Sequence, residues 1–133
     1  MRTIKFRGKS LHTNHWHCGD LIQPSDNVCF IQQRGMAGFL CDIKTVGQFT
    51  GLQDKNGEDI YEGDIINIQV ISSHTKDVII NEKCSVVFYN GCFGMAEYGM
   101  RKEFVRFDSF VEYLTSFEIV GNIYDNPELL TQS

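Results

Sequence analysis

The chain has 133 residues, 42% of them hydrophobic, with ten Phe and five Tyr, which is room for one ordinary domain or two very small ones and too little for a large cofactor enzyme. Lys and Arg number 12 against 17 Asp and Glu, a net charge of −5. The charge is unevenly spread: residues 1–50 hold six basic against three acidic side chains and residues 51–133 six against fourteen, so the second part repels phosphates at long range.

From the start, Met1 to Trp16 carries charges where a signal peptide needs its apolar core, and no apolar run approaches the roughly 18 residues that cross a bilayer. The expectation is a cytoplasmic protein with no membrane partner. Arg2, Lys5, Arg7 and Lys9 alternate with Ile4 and Phe6, the period of a half-buried strand with its basic residues outward. Strands are expected near Thr3–Arg7, Asp20–Ile22, Val28–Gln32, Phe39–Ile43 and Val46–Thr50, with Gln33–Gly38 as a glycine-bearing connection. Trp16, the single tryptophan, is expected in the core.

The second part opens with Gly51-Leu-Gln-Asp-Lys-Asn-Gly57, where Asp54 and Gly57 take the favoured first and last places of a type I turn. A single helical turn ending at Gly63 is expected to launch the strand Asp64–Ile71, whose Ile66, Ile68 and Val70 share one face. Strands follow at Val78–Ile80, Ser85–Tyr89 and Cys92–Ala96, the last two joined by Asn90-Gly91, a two-residue hairpin signal. Asp108 is placed to cap a short helix over Ser109–Leu114, Phe117–Tyr124 closes the sheet, and Asn126-Pro127 starts a final helical turn. Five short antiparallel strands with one helical turn suggest a small barrel.

Two blocks are distinctive: Gln48-Phe-Thr-Gly-Leu-Gln-Asp-Lys-Asn-Gly-Glu-Asp-Ile-Tyr-Glu-Gly-Asp-Ile-Ile66 and Glu118-Ile-Val-Gly-Asn-Ile-Tyr-Asp-Asn-Pro-Glu-Leu-Leu130. Together with Ile4-Lys-Phe-Arg7 and a tryptophan shortly followed by Gly19-Asp20-Leu21, they make the chain resemble the YopX family of phage and prophage proteins over nearly its whole length. The resemblance implies an all-β protein, with a small irregular N-terminal β domain (1–50) followed by an SH3-like barrel (51–133). It implies no reaction, since the family has no established biochemical function.

Candidate chemistry is sparse. His12, His15, His17 and Cys18 offer four zinc donors within seven residues, but on an extended strand His15 and His17 face away from Cys18, so a tetrahedral site needs a turn or a distant partner such as Cys29, Cys41 or His74. No metal or cofactor is therefore expected. Five carboxylates, Asp54, Glu58, Asp59, Glu62 and Asp64, crowd eleven residues, yet the spacing fails for a calcium loop because position 12 counted from Asp54 is Ile65. A structural reading fits better: Asp54 bonds turn amides and Asp64 fixes the start of a strand. Gly94 to Gly99 has the glycine spacing of a phosphate loop, but Met100-Arg101 replaces the required Lys and Ser/Thr. Five cysteines with no Cys-x-x-Cys spacing fit a reducing compartment and small core fillers.

The expectation is therefore a non-enzymatic protein-binding module. Its partner is an unidentified host or phage protein, and self-association is expected to help hold two domains of this size. Strand addition, or a peptide laid on aromatics, is the expected mode, with Tyr61, Tyr89 and Phe93 as contacts beside Glu62 and Asp64. The disfavoured alternative is nucleic-acid binding through Arg2, Lys5 and Arg7 on the first strand and Arg101 and Lys102 on the barrel face. A small hydrolase with a Cys or carboxylate centre is third.

Overall fold

A computed structural model describes residues 2–97, 104–107 and 114–131. The fold is all β, and the chain divides into two compact units, Met1–Gly51 and Leu52–Ser133. Ten strands make two five-stranded sheets: β1 (Phe6–Ser10), β2 (Trp16–Ser25), β3 (Val28–Gln32), β4 (Gly38–Gln53) and β5 (Asp59–Tyr61) in the first, and β6 (Asp64–Ile71), β7 (Val78–Tyr89), β8 (Cys92–Glu97), β9 (Phe104–Arg106) and β10 (Leu114–Asn122) in the second. A 3-10 turn follows over Pro127–Leu130, with proline at its start as the sequence predicts. Among the described residues no helix is long and apolar enough to cross a membrane.

In the first unit the strands form a closed ring. β1 pairs antiparallel with β2 (Phe6 opposite Gly19) and also with β4 (Phe6 opposite Gln48, Ser10 opposite Cys41), while β3 pairs with both β2 and β4. Closure removes the free edges that a four-strand sheet would otherwise present. Inside lie Cys29, Ile31 and Cys41, ringed by Phe6, Leu21, Phe39, Ile43 and Val46. The strand at the start begins two residues beyond Ile4, which is 55% exposed. The expected strands Phe39–Ile43 and Val46–Thr50 are parts of one, because β4 exchanges partners along its length: residues 38–41 pair with β3 and residues 41–48 with β1. A register shift on the β1 ladder follows that exchange, between Arg7 and Lys9, with Gly8 inside it and Gly47 at its β4 end.

The second sheet lies in the second unit and is antiparallel, in the order β10-β6-β7-β8-β9. β6 is its centre, and its alternation buries Ile66, Ile68 and Val70 on one face against Cys84, Val86 and Met95 from β7 and β8. Ile80, Val105, Phe107, Phe117 and Ile119 complete that core. Where a helical turn was expected before β6, the chain instead makes the short strand β5 and a two-residue turn at Glu62-Gly63. The expected helix over Ser109–Leu114 lies outside the described residues except for Leu114, which opens β10. Asn90 and Gly91 both have positive φ, 54° and 83°, as a primed hairpin turn between β7 and β8 requires.

Candidate functional site

The carboxylate-rich block folds as a clasp. Gly57 N–H donates to the Asp54 carbonyl at 3.0 Å, closing the turn, while Asp54 Oδ1 accepts the N–H groups of Asn56 and Glu58, both at 2.9 Å. Its other oxygen, Oδ2, accepts Ile119 N–H at 3.0 Å, and Lys55 N–H donates to the Phe117 carbonyl at 2.9 Å. The turn thus satisfies backbone groups of β10 on the edge away from β6, as a further strand would. Asp54 is 7% exposed. Burial alone would raise its pKa, but the N–H groups of Ile119, Glu58 and Asn56, with the Lys55 charge, outweigh burial and hold the carboxyl below its ordinary value of 3.8. A carboxylate saturated in this way stays ionised and is a poor proton donor or acceptor for catalysis.

The two distinctive sequence blocks meet here. Beyond the Asp54 and Lys55 bonds, Gly63 N–H donates to the Val86 carbonyl and Ile123 N–H donates to the Gly63 carbonyl, each at 2.9 Å. Asp64 opposes Asn122 in the β6–β10 ladder, and Asp64 Oδ2 accepts Tyr61 N–H at 2.7 Å. Asn122 Oδ1 in turn accepts Tyr124 N–H at 3.0 Å and Asp125 N–H at 2.9 Å, fixing the bend after β10. Lys55 Nζ stands 2.8 Å from Glu118 Oε2 across an exposed pair. The family-like signature therefore encodes backbone satisfaction at one end of the sheet.

Exposed aromatic surface lies elsewhere, at the tip of the β7–β8 hairpin. Phe88 and Tyr89 are 53% and 59% exposed. As neighbours on one strand they point to opposite faces. Phe88 extends the core face past the buried Val86–Met95 pair and meets its cross-strand partner Phe93 edge-on at 5.0 Å between ring centroids. Tyr89 packs on the outer face against Phe104 of β9 at 5.2 Å. Below that pair opens a cleft of about 430 Å³ lined by Asn90, Cys92, Phe104, Val105 and Arg106. Gly94 makes the arrangement sterically feasible: a Cβ there would stand 2.5 Å from both Phe104 Cζ and the Val105 carbonyl oxygen.

Of the expected contact residues, Tyr89 and Phe93 both lie at this tip but on opposite faces of the hairpin, and Glu62 is half-buried in the turn before β6. Tyr61 and Asp64 are 4% and 1% exposed and belong to the folded interior. Phe88, Gly94, Phe104 and Arg106 are missed by the sequence reading. Phe88 was detectable, since the Asn90-Gly91 turn makes it the cross-strand neighbour of Phe93.

The residues expected to serve the other two functions are placed as follows. Lys5 Nζ lies 4.7 Å from the Phe49 ring centroid and the Arg7 guanidinium 4.9 Å from that of Trp16, so both cations stack on aromatics of their own unit. Trp16 is half-buried under this contact, and Arg2 is exposed ahead of β1. Arg101 and Lys102 lie outside the described residues. His12 and His15 are exposed, whereas His17 stacks on Phe39 at 3.7 Å with the rings 5° from parallel. Among the described residues no three His, Cys, Asp or Glu side chains converge as a metal site. All five cysteines are free thiols. Burial, then the charge of Asp42, pushes the Cys29 thiol up, and burial, then Cys29, does the same to Cys41, which leaves both poor nucleophiles.

A family model described as "YopX protein" matches residues 5–131. No curated protein matches the chain. Among solved structures the chain is similar to protein EF1440 from Enterococcus faecalis, with 22% identity, 98% of this chain and 99% of that chain covered, and a TM-score of 0.57. At that identity the likeness shows a shared fold.

Proposed function

The chain belongs to the YopX family, and from that premise we propose that it is a non-enzymatic protein-binding module of a phage or prophage, working in the cytoplasm and contacting its partner through the aromatic tip of the β7–β8 hairpin. The reading takes the second unit as an SH3-like barrel, a scaffold that commonly offers aromatic surface and strand edges to extended peptides. The observation that carries it is the exposure of Phe88 and Tyr89, each more than half accessible, at the end of β7 just before a two-residue turn, with a cleft lined by Asn90, Cys92, Phe104, Val105 and Arg106 beside it. Large aromatics held rigidly in the open are favoured contact residues, because they bury much area at little cost in side-chain entropy.

The competing readings draw less support. Two of the cations of the nucleic-acid alternative already stack on rings of the first unit. The carboxylates that an enzyme would use are engaged in backbone hydrogen bonds, and two thiols are driven toward their protonated form. The test is capture of complexes by a tagged full-length chain in a bacterial host carrying such an element, with and without nuclease. A stoichiometric protein partner that survives nuclease is expected. Loss of all bound material on nuclease treatment overturns the reading in favour of nucleic acid, and a second copy of the chain as the sole associate assigns the surface to self-assembly instead.

A further inference from the structure

The sequence contains two Asn-Gly steps in exposed turns, Asn56-Gly57 and Asn90-Gly91, and they differ in a way that separates them chemically. We propose that Asn90 is a site of spontaneous deamidation in the folded protein and that Asn56 is protected from it. The reaction begins when the Gly amide nitrogen, having given its proton to solvent base, attacks the Asn side-chain Cγ. A C–N bond forms, the Cγ–Nδ2 bond breaks, and ammonia leaves a cyclic imide that water opens to aspartate or isoaspartate. The nucleophile is thus the Gly N–H, and the intermediate carries negative charge.

At Asn56 both requirements are opposed. The Gly57 N–H is engaged with the Asp54 carbonyl at 3.0 Å, and Asn56 itself is held by Asp54 Oδ1 at 2.9 Å. The ionised Asp54 also disfavours a second negative charge in the same turn. At Asn90 neither restraint applies. Among the described residues none accepts the Gly91 N–H. Asn90 shares its cleft with Arg106, whose positive charge favours the anionic intermediate. A Cβ at Gly57 or at Gly91 would meet nothing within 4 Å, so steric shielding is alike at the two steps and the difference lies in the hydrogen bonds and charges.

The product alters the proposed contact surface. Aspartate at position 90 places a carboxylate in the aromatic cleft, and isoaspartate inserts an extra methylene into a two-residue turn whose geometry sets the Tyr89–Cys92 and Phe88–Phe93 pairing. The modification is therefore a slow, irreversible change at the hairpin tip.

The experiment incubates the folded full-length chain at mildly alkaline pH, beside a sample unfolded in urea, and follows both Asn-Gly steps by peptide mapping with isoaspartate detection. In urea the two steps should convert at similar rates. In the folded chain Asn90 should convert at least about tenfold faster than Asn56, the ratio given by a barrier difference of about 1.4 kcal/mol, and Asn90→Gln should abolish the dominant modified peptide. Equal folded rates, faster conversion at Asn56, or an Asn90 that stays intact while the urea sample converts would each overturn the proposal.

Discussion

Asp54 Oδ2 and the backbone N–H of Ile119 meet at 3.0 Å across 65 residues of chain, and with Asp54 Oδ1 serving Asn56 and Glu58 the carboxylate accepts three backbone donors at once. Removing it leaves these donors without their partner in a site that is 7% exposed. Asp54→Ala should therefore destabilise the second unit by about 3 kcal/mol, and Asp54→Asn by less, since its one oxygen can serve only part of the set. Urea denaturation should show a lowered midpoint with an unchanged slope.

The same carboxylate predicts a pH dependence. Its pKa is below 3.8 in the folded chain, so near that pH the unfolded state binds more protons than the folded one. The stabilisation is complete above the unfolded pKa and is lost as pH falls through the lower folded value. Below about pH 5 the wild type should lose stability more steeply than Asp54→Asn, and the two curves should run parallel above about pH 5. Parallel curves throughout the acid range would show that Asp54 does not carry this dependence.

Lys55 and Glu118 provide the contrast. Their side chains approach to 2.8 Å but remain 53% and 40% exposed, so solvent screens the pair. Lys55→Met should change stability by less than about 0.5 kcal/mol, and added salt should not alter the difference measurably. The clasp is held by buried backbone bonds and not by its visible ion pair.

Gly94→Ala should disturb the hairpin tip while sparing the clasp. The new methyl would meet a ring and a backbone carbonyl at 2.5 Å, and since the carbonyl belongs to β9 the strand itself must shift. A cost of about 2 kcal/mol is expected. Changed near-ultraviolet dichroism from Tyr89 and Phe104, with little shift in the amide resonances of Asp54 and Ile119, would locate the effect.

Much of this was legible in the sequence, for identifiable physical reasons. β6 was readable to the residue because Ile66, Ile68 and Val70 alternate along one buried face, although Asp64 and Ile65 at its start are buried as well. The β7–β8 hairpin was readable from Asn90-Gly91, whose positive φ values few other residue pairs accept. The role of Asp54 was half legible: its bonds to Asn56 and Glu58 are local, whereas the bond to Ile119 depends on tertiary pairing that no spacing reveals. The exchange of partners along β4 and the burial of Tyr61 are likewise products of pairing across the sheet. For the candidate site, the sequence offered Tyr89 and Phe93 as aromatics, and the Asn90-Gly91 signal places both at the hairpin tip. Phe104 was not offered, because only the β8–β9 register brings it over Gly94.

In the proposed reading the signature blocks hold the fold while the hairpin tip makes the contact. That reading is tested most directly by measuring the affinity of the captured partner for Tyr89→Ser beside its denaturation midpoint. A large loss of affinity, at least about tenfold as expected for a contact aromatic, with a midpoint close to wild type, is the predicted result. Wild-type affinity in a folded Tyr89→Ser variant would contradict the account and place the contact surface elsewhere on the chain.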